Sequence, residues 1–369
     1  MSRRRPRART SHGASRVGER FEAEVGAVAH GGHCVVRHDD RVVFVRHALP
    51  GERVVVSITE GSDGDRFWRG DAVSVLEASP DRVVAPCPYA GPGLCGGCDF
   101  QHATPTAQRA LKAAVVREQM SRLAGLDVAV TVEEVPPSLR WRTRMRYVAL
   151  PGGARGLHVH RSDEVVKIDD CLIDAGLPAH DSEVVDTRYG TRTFAVDPDG
   201  FWQSHLDAPR VLVEVVLSLL APGAGEQVLD LYAGVGLFAA FLAEAVGPSG
   251  RVVAIEGSPV ACRDARLNLP PSARVEHGPV DRVLASAYDE PFDLVVLDPP
   301  REGAKRRVVR RIVDRAPRAV AYVACDPAAL ARDVASFAEL GYTLTTLRAF
   351  DLFPMTHHVE CVALLEKRR

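Results

Sequence analysis

From residue 227 onward the chain alternates between short apolar runs and segments with helical periodicity. We predict strands at 227–231, 251–256, 273–276, 292–298, 319–324, 342–347 and 358–365. Strands that alternate with helices form parallel βαβ units, because a parallel neighbour is reached only through a crossover connection. This part of the chain is therefore predicted to be a doubly wound, Rossmann-like α/β sheet, which binds ligands beyond the carboxyl ends of its strands.

A glycine turn follows the first of these strands, in the run Asp-Leu-Tyr-Ala-Gly-Val-Gly at 230–236. The turn lacks the third glycine of a dinucleotide-binding loop. Roughly 20 residues further on, the second strand ends in Glu256, whose carboxylate is placed to accept both hydroxyls of a ribose. A ribose site without a pyrophosphate loop indicates S-adenosylmethionine rather than NAD. Gly234, Glu256 and Asp298, all at one edge of the sheet, are therefore predicted cofactor contacts.

Cys325 stands where a predicted strand meets a predicted helix at 327–340. Asp326 is a natural N-cap and Pro327 a natural first helical residue, so the free N–H groups of the helix point back towards the thiol. This field favours the thiolate, which is the nucleophilic form of cysteine. Cys325 is therefore a predicted nucleophile, and the alternative is a small buried hydrophobe.

The run Asp-Pro-Pro-Arg-Glu-Gly at 298–303 lies at the end of another predicted strand. Its first three residues resemble the motif with which nucleic-acid methyltransferases hold a target base. Amino-group methylases usually place an aromatic residue next, whereas this chain has Arg301. A guanidinium suits a carbonyl oxygen that acquires negative charge, as in an enolate. The alternative for Arg301 is an ordinary salt bridge.

Four motifs occur in order: Phe-Trp-Gln at 201–203, Asp-Pro-Pro-Arg-Glu-Gly at 298–303, Ala-Cys-Asp-Pro at 324–327 and Asp-Leu-Phe-Pro-Met-Thr-His-His-Val-Glu at 351–360. Together they resemble the RNA 5-methyluridine (uracil-C5) methyltransferase family, and the resemblance covers roughly residues 21–369. It implies a class I methyltransferase fold and an S-adenosylmethionine-dependent enzyme. It also implies that Cys325 is the nucleophile, that Glu360 is the base, and that Gln203, Tyr232, Glu256 and Asp298 contact the cofactor.

The residue types agree with that chemistry. C5 of uracil is too weak a nucleophile to take a methyl group unaided, so Cys325 would add to C6 and create a nucleophilic enolate. Glu360, in the last apolar strand, would be desolvated and so a stronger base; the alternative is a carboxylate on an edge strand. Leu237 and Pro279 depart from the family pattern, so we expect altered contacts to the cofactor and an unaltered reaction.

Three of the eight cysteines cluster at Cys87, Cys95 and Cys98, which indicates a metal site. With the distant Cys171, this spacing resembles the iron–sulfur pattern of many family members, although the first spacing is longer here. The resemblance implies a [4Fe-4S] cluster, whose four corners each take one ligand. Zinc bound by four cysteines is the alternative. The spacing of radical-generating enzymes is absent, so we expect a structural or RNA-positioning role.

The rest of the chain divides by composition. Residues 1–20 hold seven Arg and one Glu and are predicted to be a disordered basic tail, either touching RNA or only solvated. Residues 21–78 contain short alternating runs separated by glycine turns, which predict an OB-like barrel. The run at 45–52 resembles the TRAM domain of RNA-modifying enzymes. Residues 79–200 are a predicted central α+β domain, and residues 201–369 the methyltransferase domain.

Within the central region we predict a helix near 104–124 and a strand at 140–147. Along that strand a period of two places four Arg on one face, where they would bind an RNA backbone or form a solvated face. The formal net charge is −2, so RNA affinity must come from such local surfaces. We expect ribosomal or transfer RNA as the partner, no protein partner and a monomer.

There is no run of 18 apolar residues and no secretory signal, so we expect a cytoplasmic protein without a membrane span. Three other functions fit parts of the sequence. They are an RNA cytosine-C5 methyltransferase, an RNA-binding or ribosome-assembly module with a vestigial methyltransferase fold, and a redox protein built on the cysteine cluster. The first usually carries a further cysteine motif that is not evident here, and the last lacks a second redox centre.

Overall fold

The computed structural model describes residues 13–178 and 180–368, and these form two compact units. The first unit comprises the described parts of Met1–Leu111, Tyr147–Asp170 and Met355–His357. The second unit comprises the described parts of Lys112–Arg146, Cys171–Pro354 and His358–Arg369. We describe each unit by itself.

The first unit begins with a five-stranded sheet in the order β1-β4-β5-β3-β2. Its strands are β1 (Arg20–Glu24), β2 (Cys34–His38), β3 (Arg41–Arg46), β4 (Arg53–Glu60) and β5 (Phe67–Glu77). Along β4, Val54, Val56 and Ile58 are buried and their neighbours are more exposed, which gives the sheet one apolar face. The predicted barrel is confirmed. Strand β2 was not predicted, because its apolar run is short and follows a glycine turn.

Residues before β1 pack onto this sheet. Ser15 forms a β-bridge with Ser62, and the Arg16 Nε donates to Asp63 Oδ1 over 2.6 Å. The prediction of a disordered tail over 1–20 is therefore wrong from Gly13 onward, because an acidic partner in a neighbouring turn orders the arginine. The rest of the predicted tail, residues 1–12, lies outside the described residues.

The predicted central domain 79–200 is not one unit, since its residues are divided between the two. The elements here are α1 (Pro105–Gln119), β6 (Val132–Glu134), β7 (Val148–Ala149), β8 (Arg155–His158), β9 (Val165–Lys167), β10 (Ser182–Thr187) and β11 (Gly190–Ala195). Helix α1 continues into a π-helical turn at Met120–Ala124, so the helix predicted near 104–124 is confirmed. Strands β7 to β9 form an antiparallel sheet in the first unit, and β10 and β11 a hairpin in the second.

The segment 140–147 is irregular for almost all its length, so the predicted arginine strand is wrong. Trp141 is fully buried and stacks on His205, with ring centroids 5.8 Å apart. The Arg140 Nη1 donates to the Cys171 carbonyl over 2.9 Å, and the Arg144 Nη1 to the Asp197 carbonyl over 3.3 Å. The alternation reflects burial of the tryptophan and capping of loop carbonyls, not four guanidiniums on one open face.

The second unit is built on an eight-stranded sheet in the order β14-β13-β12-β15-β16-β18-β17-β6. Its further strands are β12 (Gln227–Leu231), β13 (Arg251–Glu256), β14 (Arg274–His277), β15 (Leu294–Leu297), β16 (Ala319–Ala324), β17 (Tyr342–Asp351) and β18 (Glu360–Lys367). Its helices are α2 (Ala208–Leu220), α3 (Leu237–Val246), α4 (Pro259–Asn268), α5 (Val280–Ser286), α6 (Lys305–Val313) and α7 (Pro327–Glu339).

Strands β12 to β16 run parallel, and β18 is inserted antiparallel between β16 and β17. All residues of β15 and β16 are buried, because helices cover both faces of the sheet and form two apolar clusters with it. The predicted Rossmann-like fold is confirmed. None of the described helices has the length and apolar character needed to cross a membrane.

Candidate active site at the carboxyl edge of the sheet

The predicted site residues of the second unit lie at one edge of its sheet. Tyr232, Glu256, Asp298 and Cys325 end or directly follow the parallel strands β12, β13, β15 and β16. Glu360 is the first residue of β18, which is antiparallel to β16, so its amino end lies at the same edge. This is the edge where open α/β sheets bind ligands.

Cys325 and Glu360 are brought together by the pairing of β16 with β18. Ala324 pairs with Cys361, and one further step in this antiparallel register sets Cys325 opposite Glu360. Residues directly opposite in such a pair have Cβ atoms about 4.5–5.5 Å apart. The charge of Glu360 also raises the pKa of Cys325, as expected for neighbours. Two residues 35 positions apart in the sequence thus share one location.

The local frame of Cys325 matches the prediction, but burial acts on its proton affinity in the opposite direction. Asp326 caps α7 by accepting a hydrogen bond from the Ala329 N–H over 2.8 Å. Burial nevertheless raises the pKa of the Cys325 thiol to about 12, and the charges of Glu360 and Asp298 add to the rise. Desolvation and the two carboxylates therefore oppose the thiolate form in the protein without ligands, so the thiolate favoured by the helix end stays a prediction.

Glu360 is a buried acid, and one of its carboxyl oxygens has no hydrogen-bond partner among the described residues. Glu360 is only 4% exposed, and this oxygen is its Oε1. Burial raises its pKa well above the usual range, and the nearby Asp298 carboxylate raises it further. The direction is the one expected for a general base held out of water. A buried carboxyl oxygen without a hydrogen-bond partner indicates a position where a ligand binds.

Arg301 lies beside the thiol and contacts an imidazole. Its charge lowers the pKa of Cys325, and its Nη2 is 3.0 Å from the His358 Nε2. The His358 ring in turn packs edge-on against Phe353, with centroids 5.7 Å apart. His358 was missed by the sequence analysis, although it lies two residues before Glu360 in the fourth motif. The site thus holds a guanidinium whose direction is set by a neighbouring ring.

The glycine turn after β12 is fixed by Glu256. Its Oε2 accepts from the Gly234 N–H over 2.9 Å and its Oε1 from the Ser258 N–H over 2.6 Å. Each carboxylate oxygen has a second acceptor position, so both can still accept a hydroxyl. Tyr232 and Gly234 have φ values of +61° and +56°, which place both residues in the left-handed region of a tight turn. These features suit a ribose.

Two buried aspartates lie under this turn. Burial raises the pKa of Asp298 to about 7, while a 3.3 Å hydrogen bond from the Gln203 Nε2 acts in the opposite direction. Burial likewise raises the pKa of Asp230 to about 8, against the 2.8 Å bond donated by the Ala239 N–H. Asp230 was not among the predicted site residues, and the signal for it was the acidic residue inside an apolar strand. The edge is therefore rich in carboxyl groups that resist ionisation.

The positions that depart from the family pattern have structural roles. Leu237 is the first residue of α3 and is 5% exposed, so it packs in the core. Pro279 caps the start of α5 without a side-chain hydrogen bond.

A buried ion pair fixes the turn that precedes Glu360. The Lys112 Nζ is 2.5 Å from Asp351 Oδ1 and donates to the Phe353 carbonyl over 3.0 Å. The Lys112 side chain is fully buried, so both contacts are shielded from water. Removing one partner would leave a buried charge, so the ion pair holds the turn at 351–353 in place. This turn precedes Glu360 in the chain.

Three of the predicted metal ligands, Cys87, Cys95 and Cys98, belong to the first unit, and Cys171 belongs to the second. The Gly97 N–H donates to Cys95 Sγ and the Gln101 Nε2 to Cys98 Sγ, each over 3.4 Å. Such N–H···S bonds are typical around thiolates that bind iron–sulfur clusters.

Zinc bound by four cysteines is the alternative to an iron–sulfur cluster. A tetrahedral site with Zn–S bonds of about 2.3 Å needs sulfurs about 3.8 Å apart. Among the described residues, the cysteines are in no group whose ligand atoms lie within 4.8 Å of one another. A four-iron cluster takes each cysteine at a separate corner, and the N–H···S donors to Cys95 and Cys98 suit its thiolate ligands.

Three family models match the chain. They are the tRNA (Uracil-5-)-methyltransferase model over residues 281–368, the TRAM domain model over 14–73, and the methyltransferase small domain model over 192–322. The first match contains Arg301, Cys325 and Glu360. The second covers the barrel and also the residues from Ala14 that the sequence analysis assigned to a tail.

Similar proteins agree with these models. An uncharacterized RNA methyltransferase of Streptomyces avermitilis is 44% identical, over 95% of this chain and 99% of its own length. One of Bifidobacterium longum is 36% identical, over 94% and 96%. The crystal structure of a Pyrococcus abyssi tRNA (uracil-54, C5)-methyltransferase with S-adenosyl-L-homocysteine shares the fold, with a TM-score of 0.69, 22% identity, and coverage of 94% and 100%. The chain belongs to the RNA methyltransferases of the uracil-5 family.

Proposed function

We propose that the protein transfers a methyl group from S-adenosylmethionine to C5 of a uridine in structured RNA, ribosomal or transfer, through a covalent bond between Cys325 and C6. The observation that carries the proposal is the placement of Cys325 opposite Glu360, whose Oε1 has no partner among the described residues. A thiol and a base side by side are what addition at C6 and proton removal at C5 require.

The cofactor would be held by five residues of the second unit. Glu256 would accept the ribose hydroxyls, the Gly234 turn would approach the cofactor closely, and Gln203, Tyr232 and Asp298 would complete its contacts. When bound, S-adenosylmethionine supplies the methyl group and a positively charged sulfonium. Four carboxyl groups lie at the same edge, and although burial raises the pKa of Asp230, Asp298 and Glu360, a bound cation would favour their ionised forms.

The first chemical step belongs to Cys325. Its pKa of about 12 in the free site must fall so that the thiol can release its proton to solvent, and positive charge lowers this pKa, as Arg301 already does. The thiolate adds to C6, the electrons of the C5–C6 double bond move towards C5 and O4, and Arg301 stabilises the negative oxygen. This step makes C5 nucleophilic.

The last step belongs to Glu360. Once C5 carries the new methyl group, the ionised Glu360 takes its proton, the double bond re-forms, and the C6–S bond breaks to return the Cys325 thiolate. Glu360 would have to release its own proton to solvent before the nucleobase closes the site; burial would then make the ionised carboxylate a strong base. To reach this buried edge, the uridine would have to be turned out of its stack.

We further propose that Cys87, Cys95 and Cys98, with Cys171 as the fourth ligand, hold a [4Fe-4S] cluster. It would be structural or position the RNA, and it takes no part in methyl transfer. The N–H···S bonds to Cys95 and Cys98 support this proposal. We also place the protein in the cytoplasm, as a monomer acting on RNA.

Trapping with 5-fluorouridine RNA tests the reaction. Fluorine at C5 does not leave as the proton does, so the adduct should persist and give a protein–RNA band stable in denaturing gels. We expect the band with S-adenosylmethionine for the wild type and for Cys34→Ala, a buried cysteine of the barrel, and no band for Cys325→Ala. A band from Cys325→Ala would defeat the proposal.

A further inference from the structure

The first unit contains a set of buried polar atoms without hydrogen-bond partners among the described residues. We call the side chains that carry them the donor set: His33, Arg46, His47, Gln101 and His160. The atoms are the Nε2 of the three histidines, the Nε and Nη2 of the arginine, and the Oε1 of the glutamine. Unpaired buried donors are rare in folded proteins and call for a ligand or ordered water.

The members of the donor set lie together. The rings of His33 and His160 are 6.2 Å apart, and the charge of Arg46 acts on His33, His47 and His160. Burial lowers the pKa of these imidazoles, which favours the neutral ring with one N–H; in the tautomer that carries this hydrogen on Nε2, the unpaired atom is a donor. Arg46 is then the fixed positive charge of the set, and it is 8% exposed.

Two acids lie near Arg46: Asp71, its partner in the pairing of β3 with β5, and Asp99. Neither accepts a hydrogen bond from the Nε or Nη2 of Arg46. The Asp99 Oδ1 is 3.8 Å from the Arg46 Nη2, which is beyond hydrogen-bond distance. The Asp99 Oδ2 accepts from the His357 N–H over 3.0 Å and lies 2.6 Å from the His357 Nδ1. The Nε and Nη2 donors of Arg46 are therefore left for another acceptor.

The donor set adjoins the loop of cysteines. Gln101 donates to Cys98 Sγ over 3.4 Å while its Oε1 has no partner. Cys95 forms a β-bridge with Val159, the neighbour of His160. A Cβ added to Gly96 would lie 2.6 Å from the backbone of His160, so only glycine permits this close approach.

We infer that Arg46, His33, His47 and His160 donate hydrogen bonds to the sulfur atoms of an iron–sulfur cluster bound by Cys87, Cys95 and Cys98. The inference rests on the proposed cluster. A cluster with thiolate ligands carries net negative charge, and its sulfurs accept hydrogen bonds from buried donors. An RNA phosphate is a poorer match, because the unpaired atoms are closed off from solvent and a phosphodiester stays at the surface.

The inference has a measurable consequence. Reduction adds one electron, and therefore negative charge, to the cluster, so donors and a positive charge beside it stabilise the reduced form. The midpoint potential should depend on Arg46 most strongly and on each imidazole less. Methyl transfer need not respond, since the cluster takes no part in that reaction.

The experiment uses the full chain, reconstituted with iron and sulfide without oxygen. Iron and sulfide content, the visible absorption spectrum and the midpoint potential are measured for wild type, Arg46→Leu, Arg46→Gln, His160→Phe and Arg53→Leu. Arg53 is an exposed control in β4, paired with Glu22 and Glu77. We expect every variant to hold the cluster. Arg46→Leu should lower the ratio of reduced to oxidised cluster at a fixed potential about tenfold, which is 59 mV for one electron.

His160→Phe should shift the potential in the same direction by less, and Arg53→Leu should leave it unchanged. If Arg46→Leu fails to fold, Arg46→Gln and His160→Phe carry the test. A wild type that binds zinc or no metal overturns the proposed cluster itself. If the wild type holds the cluster, and both Arg46 variants and His160→Phe have the wild-type midpoint potential, this inference is wrong and the proposed cluster still stands. Weaker RNA binding by the Arg46 variants at an unchanged potential would also overturn it, in favour of a phosphate contact.

Discussion

The sheet edge of the second unit and the donor set of the first both contain buried polar groups without partners, but of opposite character. The edge is acidic, and burial raises the pKa of Asp230, Asp298 and Glu360. The donor set surrounds the positive Arg46 with three imidazoles and the Gln101 side chain. Buried polar groups without partners are rare, so both regions are candidate binding sites: the edge is built from carboxyl groups, whereas the donor set surrounds a fixed positive charge that suits an anion.

The largest expected effect is the loss of methyl transfer when Cys325 is replaced at the sheet edge, while the iron content of the first unit stays the same. Cys325→Ala should lower methyl transfer by at least about 10⁴-fold, the scale seen when a nucleophile is removed. Binding of labelled S-adenosylmethionine and the iron content should not change, because neither depends on this thiol. The matched control is Cys34→Ala, a buried cysteine in the barrel, which should keep wild-type turnover. Equal loss in both variants would mean that Cys325 acts only through folding.

A smaller loss is expected at the base. Glu360→Gln should lower turnover by about 10²–10⁴-fold, because the C5 proton has no acceptor. Addition and methyl transfer should still occur, so a covalent complex with ordinary uridine RNA should accumulate and appear on a denaturing gel. Wild-type turnover in this variant, or loss of rate without the complex, would place the base on another residue.

The acidity of the edge should appear in the pH dependence of stability. In the unfolded chain Asp298 ionises near pH 3.9, whereas in the fold its pKa is about 7. Between these values the folded state binds more protons, so stability falls as the pH rises through this window and is constant above it. Asp298→Asn removes the titration. The difference in unfolding temperature between pH 5 and pH 8 should therefore be smaller in the variant.

The control for this measurement is Asp163→Asn, because Asp163 is an exposed aspartate of the first unit. Its pH profile should follow the wild type. If Asp298→Asn follows the wild type too, the carboxyl is ionised at neutral pH, and the acidic edge would no longer contrast with the donor set.

The smallest effect concerns the orientation of Arg301. His358→Ala should lower kcat about tenfold, the equivalent of about 1.4 kcal/mol, and leave KM for RNA nearly unchanged. His358→Gln should recover part of the rate, since its amide can still accept from the guanidinium. In an Arg301→Ala background the His358 change should have no further effect, as a double-mutant cycle would measure. Additive losses would show that His358 acts independently of Arg301.

Much of the fold could be predicted because its signals are local. The apolar runs of β12 to β16, the glycine turn and the Asp326 cap each depend on residues adjacent in sequence, and all are present as predicted. The segment 140–147 shows the limit of such reasoning. Its alternation fits a strand and fits equally well a loop in which Trp141 is buried against His205. The ring of His205, distant in the sequence, decides between the two.

The sequence alone determined the parallel sheet, the order of its motifs and the place of Cys325 between a strand and a helix, since short-range periodicity and capping govern these. Only the tertiary structure decided the proton affinity of Cys325, because Glu360 and Asp298 reach it from other strands. It alone also gathered His33, Arg46 and His160, which lie far apart in the chain. Burial and charge act through space, and a pattern read along the chain does not contain those distances.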